Sequence, residues 1–126
     1  MTDEINGLLA LAREDLETAR RDLAAGAFRH AVSRAYYGAF HAASAALLHR
    51  GHRPKSHGGV HRMLSDLFVR EGPLGREQGR AYTRLMQLRY DADYEVGRII
   101  PQEDAERSVR DAAALVDDLA VWVEAQ

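Results

Sequence analysis

The chain has 126 residues, 46% hydrophobic and 29% charged, which is the size and balance of one globular domain (1–126) with a real core. A formal net charge of −2 gives no global pull towards nucleic acid or a membrane surface. The absence of cysteine excludes disulfides, zinc–thiolate sites and thiol nucleophiles. No apolar run approaches the roughly 18 residues of a membrane span, and the start Met1-Thr2-Asp3-Glu4-Ile5 lacks the basic and apolar parts of a signal peptide. A cytoplasmic protein without membrane attachment is therefore expected.

Charge is unevenly spread. All six histidines (His30, His41, His49, His52, His57 and His61) fall in one stretch, where Lys55 is the lone lysine among arginines. The acidic residues lie mostly outside it, so this part of the molecule is locally basic.

The first predicted helix covers about 3–24. Ile5, Leu8, Leu9, Ala12, Leu16, Ala19 and Leu23 recur at helical spacing, Asp3 and Glu4 suit its N-terminal dipole, and Gly26 suits its end. The second covers about 27–50 and is the most informative. Ala35, Gly38, Ala42 and Ala45 form a small-residue face; Tyr36, Phe40 and Leu47 form a large apolar one. Between them His30, Arg34, Tyr37, His41 and Ser44 line up at steps of three and four. Polar groups on a helix this apolar need partners.

After a short linker with Pro54, Ser56 is placed to cap a third helix over about 57–70, with Val60, Leu64, Leu67 and Phe68 as its apolar face. Glu71 to Gly75 form a loop. A fourth helix follows over about 76–97, with Ala81, Leu85, Leu88, Ala92 and Val96 on one face, and a fifth over about 101–125 begins at Pro101 with an acidic first turn. No strand pattern competes. The expectation is an all-α, antiparallel up-and-down bundle of about five helices.

Three constellations carry polar chemistry. Arg34 and His41 are seven residues apart, nearly two turns, and so share a face about 10 Å apart along the axis. Together they suit RNA phosphodiester cleavage without a metal, with histidine moving a proton and arginine stabilising phosphorane charge. The competing reading pairs Arg34 with a carboxylate of the fourth helix and His41 with backbone. In the second constellation, Leu88 to Tyr94, Arg89 and Asp93 are spaced to pair within the helix, with Tyr90 and Tyr94 half-buried beside them. The third is the basic loop carrying Arg53, Lys55, Ser56 and His57 into a helix N-terminus, which is either an anion site or a solvated loop. His57 and His61 have a metal-ligand spacing, but no third ligand accompanies them, so no metal is expected. No Walker loop, dinucleotide glycine motif or serine elbow is present, and no cofactor is expected.

The runs Ser33-Arg34-Ala35-Tyr36-Tyr37-Gly38-Ala39-Phe40-His41, Lys55-Ser56-His57-Gly58-Gly59-Val60 and Leu88-Arg89-Tyr90-Asp91-Ala92-Asp93-Tyr94 resemble those of HEPN-domain proteins (higher eukaryotes and prokaryotes nucleotide-binding), in their small stand-alone bacterial and archaeal branch. The resemblance spans nearly the whole chain. It implies a helical bundle, a homodimer, and a minimal nucleotidyltransferase partner in a toxin–antitoxin pair. It also implies metal-independent ribonuclease activity from an arginine followed, after four to six residues, by a histidine on a late helix. Here Arg89 occupies the arginine position, but Tyr94 stands where histidine is expected. Arg34 and His41 satisfy the count on the second helix instead. The resemblance thus points to Arg34, His41, Arg89 and Tyr94 as catalytic candidates with Tyr37 and Asp93 in support, and to RNA or nucleotide as ligand. The incomplete late-helix motif fits equally a non-catalytic homodimeric module that binds nucleotide or a partner.

Overall fold

The computed structural model describes residues 2–125. Five α-helices follow in order: α1 Asp3–Ala24, α2 Phe28–His49, α3 His57–Leu64, α4 Arg76–Tyr94 and α5 Gln102–Glu124. Short loops join them into an up-and-down bundle, and there is no strand among the described residues. None of the described helices is long and apolar enough to cross a membrane.

α2 is the central element, packed against α1, α4 and α5. Eleven of its 22 residues are buried, seven of them alanines and one Gly38. Small side chains let neighbouring backbones approach closely, so α2 is surrounded without being bulky. At Gly38 the approach is closest: an added Cβ would sit 3.3 Å from the Ala12 carbonyl oxygen and 3.6 Å from Asp15 Cβ. Larger side chains complete the core, with Tyr36, Leu47, Phe68, Tyr82, Leu85, Leu115 and Leu119 essentially buried. Burial of a leucine or phenylalanine of this kind contributes about 1.5–3 kcal/mol. Gly38→Leu is therefore expected to overpack the α1–α2 contact and lower stability by about 1–3 kcal/mol, read from urea unfolding midpoints.

Local signals place the helix ends. Thr2 accepts from the Ile5 amide at the start of α1, and Gly26 closes its far end at φ 77°. Ser56 Oγ accepts from the Gly59 amide at 2.9 Å, which makes it the α3 cap. Two expected elements end earlier. The third helix is α-helical only to Leu64; residues Ser65–Arg70 form a π-helical turn. There Phe68 is buried edge-on against Trp122 at 4.8 Å, and the chain folds back so closely that a Cβ on Gly72 would lie 2.4 Å from the Leu67 carbonyl oxygen. The fourth helix stops at Tyr94 rather than residue 97. The Arg29 guanidinium, reaching across from α2, donates to the carbonyls of Ala92 and Arg98. At Ala92 a side chain thus takes over an acceptor that another helical turn would have used, and at Arg98 it holds the loop that follows.

Candidate functional site

Two members of the polar stripe of α2 are drawn onto a carboxylate of α1. Arg34 Nη1 donates to Asp15 Oδ1 at 3.2 Å, and His41 Nδ1 donates to Asp15 Oδ2 at 2.6 Å. Asp15 comes from α1 and its side chain is 6% exposed, against 44% for Arg34 and 19% for His41. One carboxylate therefore spans two donors that α2 presents nearly two turns apart. Because a carboxylate only accepts, the proton of His41 resides on Nδ1, and Nε2 has no hydrogen-bond partner among the described residues.

The ion-pair partner of Arg34 is thus a carboxylate of the first helix, not the fourth. Sequence inspection overlooks Asp15 because it sits within the apolar stripe between Ala12 and Leu16. The signal that could have found it is positional: Ala12, Asp15 and Ala19 are spaced by three and four, on the buried face. A buried aspartate on such a stripe requires donors.

Tyr37 brings the remaining candidates together. The Arg34 guanidinium carbon lies 5.7 Å from the centre of its ring, and that of Arg89 from α4 lies 5.6 Å away. The His41 and His57 rings are 6.0 and 5.9 Å from it. The motif residues of α2, α3 and α4 therefore meet within one chain. Arg89 is buried, 4.9 Å above the Tyr36 ring and 5.9 Å from that of Tyr94, with Asp93 at 3.4 Å as its ion-pair partner. Its Nε has no hydrogen-bond partner. Aromatic faces on several sides offset part of the cost of burying this charge. Tyr94, by contrast, is 61% exposed.

The basic loop is divided among separate partners. Arg53 forms a surface ion pair with Glu4, Ser56 caps α3, and Lys55 is exposed. The His57 ring turns inward, its Nδ1 2.7 Å from Tyr36 Oη and its ring 4.5 Å from that of Phe40. His61 instead bonds Thr83 Oγ1 at 3.0 Å and stacks on Tyr82. Among the described residues no group of three or more histidines and carboxylates could hold a metal ion.

Burial lowers the pKa of His57 below its ordinary value, reinforced by the charge of Arg89. The hydrogen bond joins it to the Tyr36 phenol, whose own pKa is raised by burial against the opposing pull of Arg89. A depressed histidine is protonated more readily in the unfolded chain. Its contribution to stability is full above the unfolded value and is lost as pH falls towards the folded one. Urea midpoints are expected to drop as the pH falls below the ordinary histidine value of about 6.5, and to drop less in His57→Asn.

The comparisons with known proteins agree with this architecture. The HEPN domain matches residues 5–122. A protein of Methanocaldococcus jannaschii named "Putative toxin MJ0605" is 38% identical over 115 residues, covering 91% of this chain and 85% of its own. A UPF0332 protein of Thermotoga maritima is 31% identical over 115 residues, covering 90% and 86%. Among solved structures, TT1696 from Thermus thermophilus superposes with a TM-score of 0.81 at 20% identity over 94% of this chain and 98% of its own, a likeness of fold alone. Matched by the domain along almost its entire length and by relatives over nine-tenths of it, the chain belongs to the HEPN family.

Proposed function

We propose that this protein is a ribonuclease acting at the cluster around Tyr37, and that it serves as the toxin of a pair whose other member is a minimal nucleotidyltransferase. The observation that carries the reading is the bridge from Asp15 to both Arg34 and His41. It orients the imidazole with Nε2 unengaged, beside two guanidinium groups that share the Tyr37 ring. A buried carboxylate holding a histidine tautomer is the arrangement by which proteins position a general base.

In this reading His41 Nε2 takes the proton of a ribose 2′-hydroxyl. The 2′-oxygen forms its bond to phosphorus while the bond to the 5′-oxygen breaks, and the imidazolium returns the proton to that leaving oxygen. The products are a 2′,3′-cyclic phosphate and a 5′-hydroxyl. Arg34 and Arg89 stabilise the charge that builds on the non-bridging oxygens. Asp93 orients Arg89, and Tyr94 lies against the same guanidinium where it can orient the scissile group. Family membership and the toxin names of relatives support the assignment, and the resemblance supports a cytoplasmic homodimer of one domain, 1–126.

A second reading is favoured by a specific observation. Asp15 and Asp93 already neutralise Arg34 and Arg89, and Tyr94 replaces the histidine of the late-helix motif. This suits a module that binds nucleotide or the partner protein without cleavage, to which Arg53, Lys55, Ser56 and His57 would add anion contacts. The deciding experiment is cleavage of total RNA by the purified protein in EDTA. Cleavage that is lost in Arg34→Ala/His41→Ala supports the ribonuclease; intact RNA with the unaltered protein selects the binding module.

A further inference from the structure

Beyond the acid–base pair, four contacts form a continuous row. The Arg34 guanidinium lies 5.7 Å from the Tyr37 ring, which lies 5.6 Å from the Arg89 guanidinium, which lies 5.9 Å from the Tyr94 ring. The Tyr94 ring is in turn 5.0 Å from that of Tyr90. Cation and aromatic face alternate as far as Tyr94, and the row ends in two phenols that are 61% and 55% exposed. Tyr90 and Tyr94 are four residues apart on α4, so the helix holds them side by side.

Two such tyrosines left in solvent bury little in the bundle and take no part in the proton transfer. Beyond the opposite end, the groove on the α1 side of Arg34 is lined by Glu14, Asp15 and Glu17 together with Arg21. That acidic side is a poor path for a polyanion, so a chain bound at Arg34 and Arg89 is directed towards Tyr94 and Tyr90. The half-exposed guanidinium of Arg34 and the two open phenol rings of Tyr94 and Tyr90, linked through the buried Arg89, suit single-stranded nucleic acid, because its phosphates repeat along the strand and each unpaired base offers a face. A paired helix keeps its bases stacked on one another and offers none to Tyr90.

We propose that Tyr94 and Tyr90 are a stacking platform for the bases flanking the bound phosphate. The proposal rests on the ribonuclease or RNA-binding reading of the Tyr37 cluster.

The test uses the full chain and a short 2′-O-methyl single strand carrying 2-aminopurine, which lacks the attacking hydroxyl and so is bound without being cut. Binding should quench the fluorophore. Tyr90→Ala should weaken affinity about 10-fold and abolish the quench, while Tyr90→Phe preserves both. A matching duplex should bind more weakly than the single strand. Unchanged affinity and quench in Tyr90→Ala overturns the platform while leaving the RNA reading in place. No binding by the unaltered chain, with no cleavage of total RNA, overturns that reading and the platform with it. Sedimentation of the same variants supplies the remaining outcome: loss of a dimer in Tyr90→Ala would assign the two tyrosines to contact with a second copy and overturn the platform.

Discussion

Asp15→Asn is expected to lower kcat of the proposed RNA cleavage by about 10²- to 10⁴-fold while leaving the protein folded and KM nearly unchanged. The aspartate has two acceptor oxygens, and both are used, one by Arg34 and one by His41. Asparagine offers one acceptor and one donor. If its oxygen stays on Arg34, the amide nitrogen faces His41 Nδ1 and favours the tautomer with the proton on Nε2. That nitrogen can then no longer accept from a 2′-hydroxyl. If the amide turns, Arg34 loses its partner, which costs little because Arg34 is half-exposed. The pH–rate profile separates this from a merely structural effect: loss of the histidine-dependent limb marks a positioning role. Cleavage at the unaltered rate in Asp15→Asn would remove His41 as the base.

Arg89 gives the second large effect, and two substitutions separate its roles. Arg89→Ala should destabilise the bundle by about 2–4 kcal/mol, because it empties the space among the Tyr36, Tyr37 and Tyr94 rings. Arg89→Leu should restore most of that packing and remove a buried charge whose Nε has no partner. Replacement of a buried charge by an apolar side chain is often neutral or stabilising, and the Asp93 left behind keeps access to water. The leucine variant is thus expected to unfold within about 1 kcal/mol of the unaltered protein and to lose about 10²- to 10³-fold in cleavage. Thermal unfolding and single-turnover cleavage check the two halves. A leucine variant that unfolds like the alanine one would make Arg89 a structural residue; a leucine variant that cleaves normally would exclude it from transition-state stabilisation.

Much of the bundle was legible in the sequence, because burying one face of each helix imposes a period of three and four that local inspection detects. The starts of α1 and α3 were legible too, since Ser56 and the acidic Asp3 and Glu4 act on backbone groups within one turn, although the Thr2 cap of α1 was not foreseen. The helix ends set by distant groups were not. From across the bundle Arg29 takes the Ala92 carbonyl at the end of α4 and the Arg98 carbonyl in the loop after it, and the π-helical turn at Ser65–Arg70 accompanies the burial of Phe68 on Trp122.

The candidate site divides in the same way. Spacing along one helix put Arg34 and His41 on one face and paired Arg89 with Asp93, because both relations are set by the geometry of a single helix. Sequence alone did not reveal that Arg34 and His41 share Asp15, or that Arg53 is drawn to Glu4. Nor did it reveal that His57 turns inward to Tyr36 while Tyr37 gathers groups from three helices. By itself the sequence determined which residues share a helix face, because that depends only on local periodicity. Only the tertiary structure decided which faces meet, because partners far apart in the chain are selected by packing small residues such as Gly38 against Ala12 and by the need of each buried charge for a counterpart.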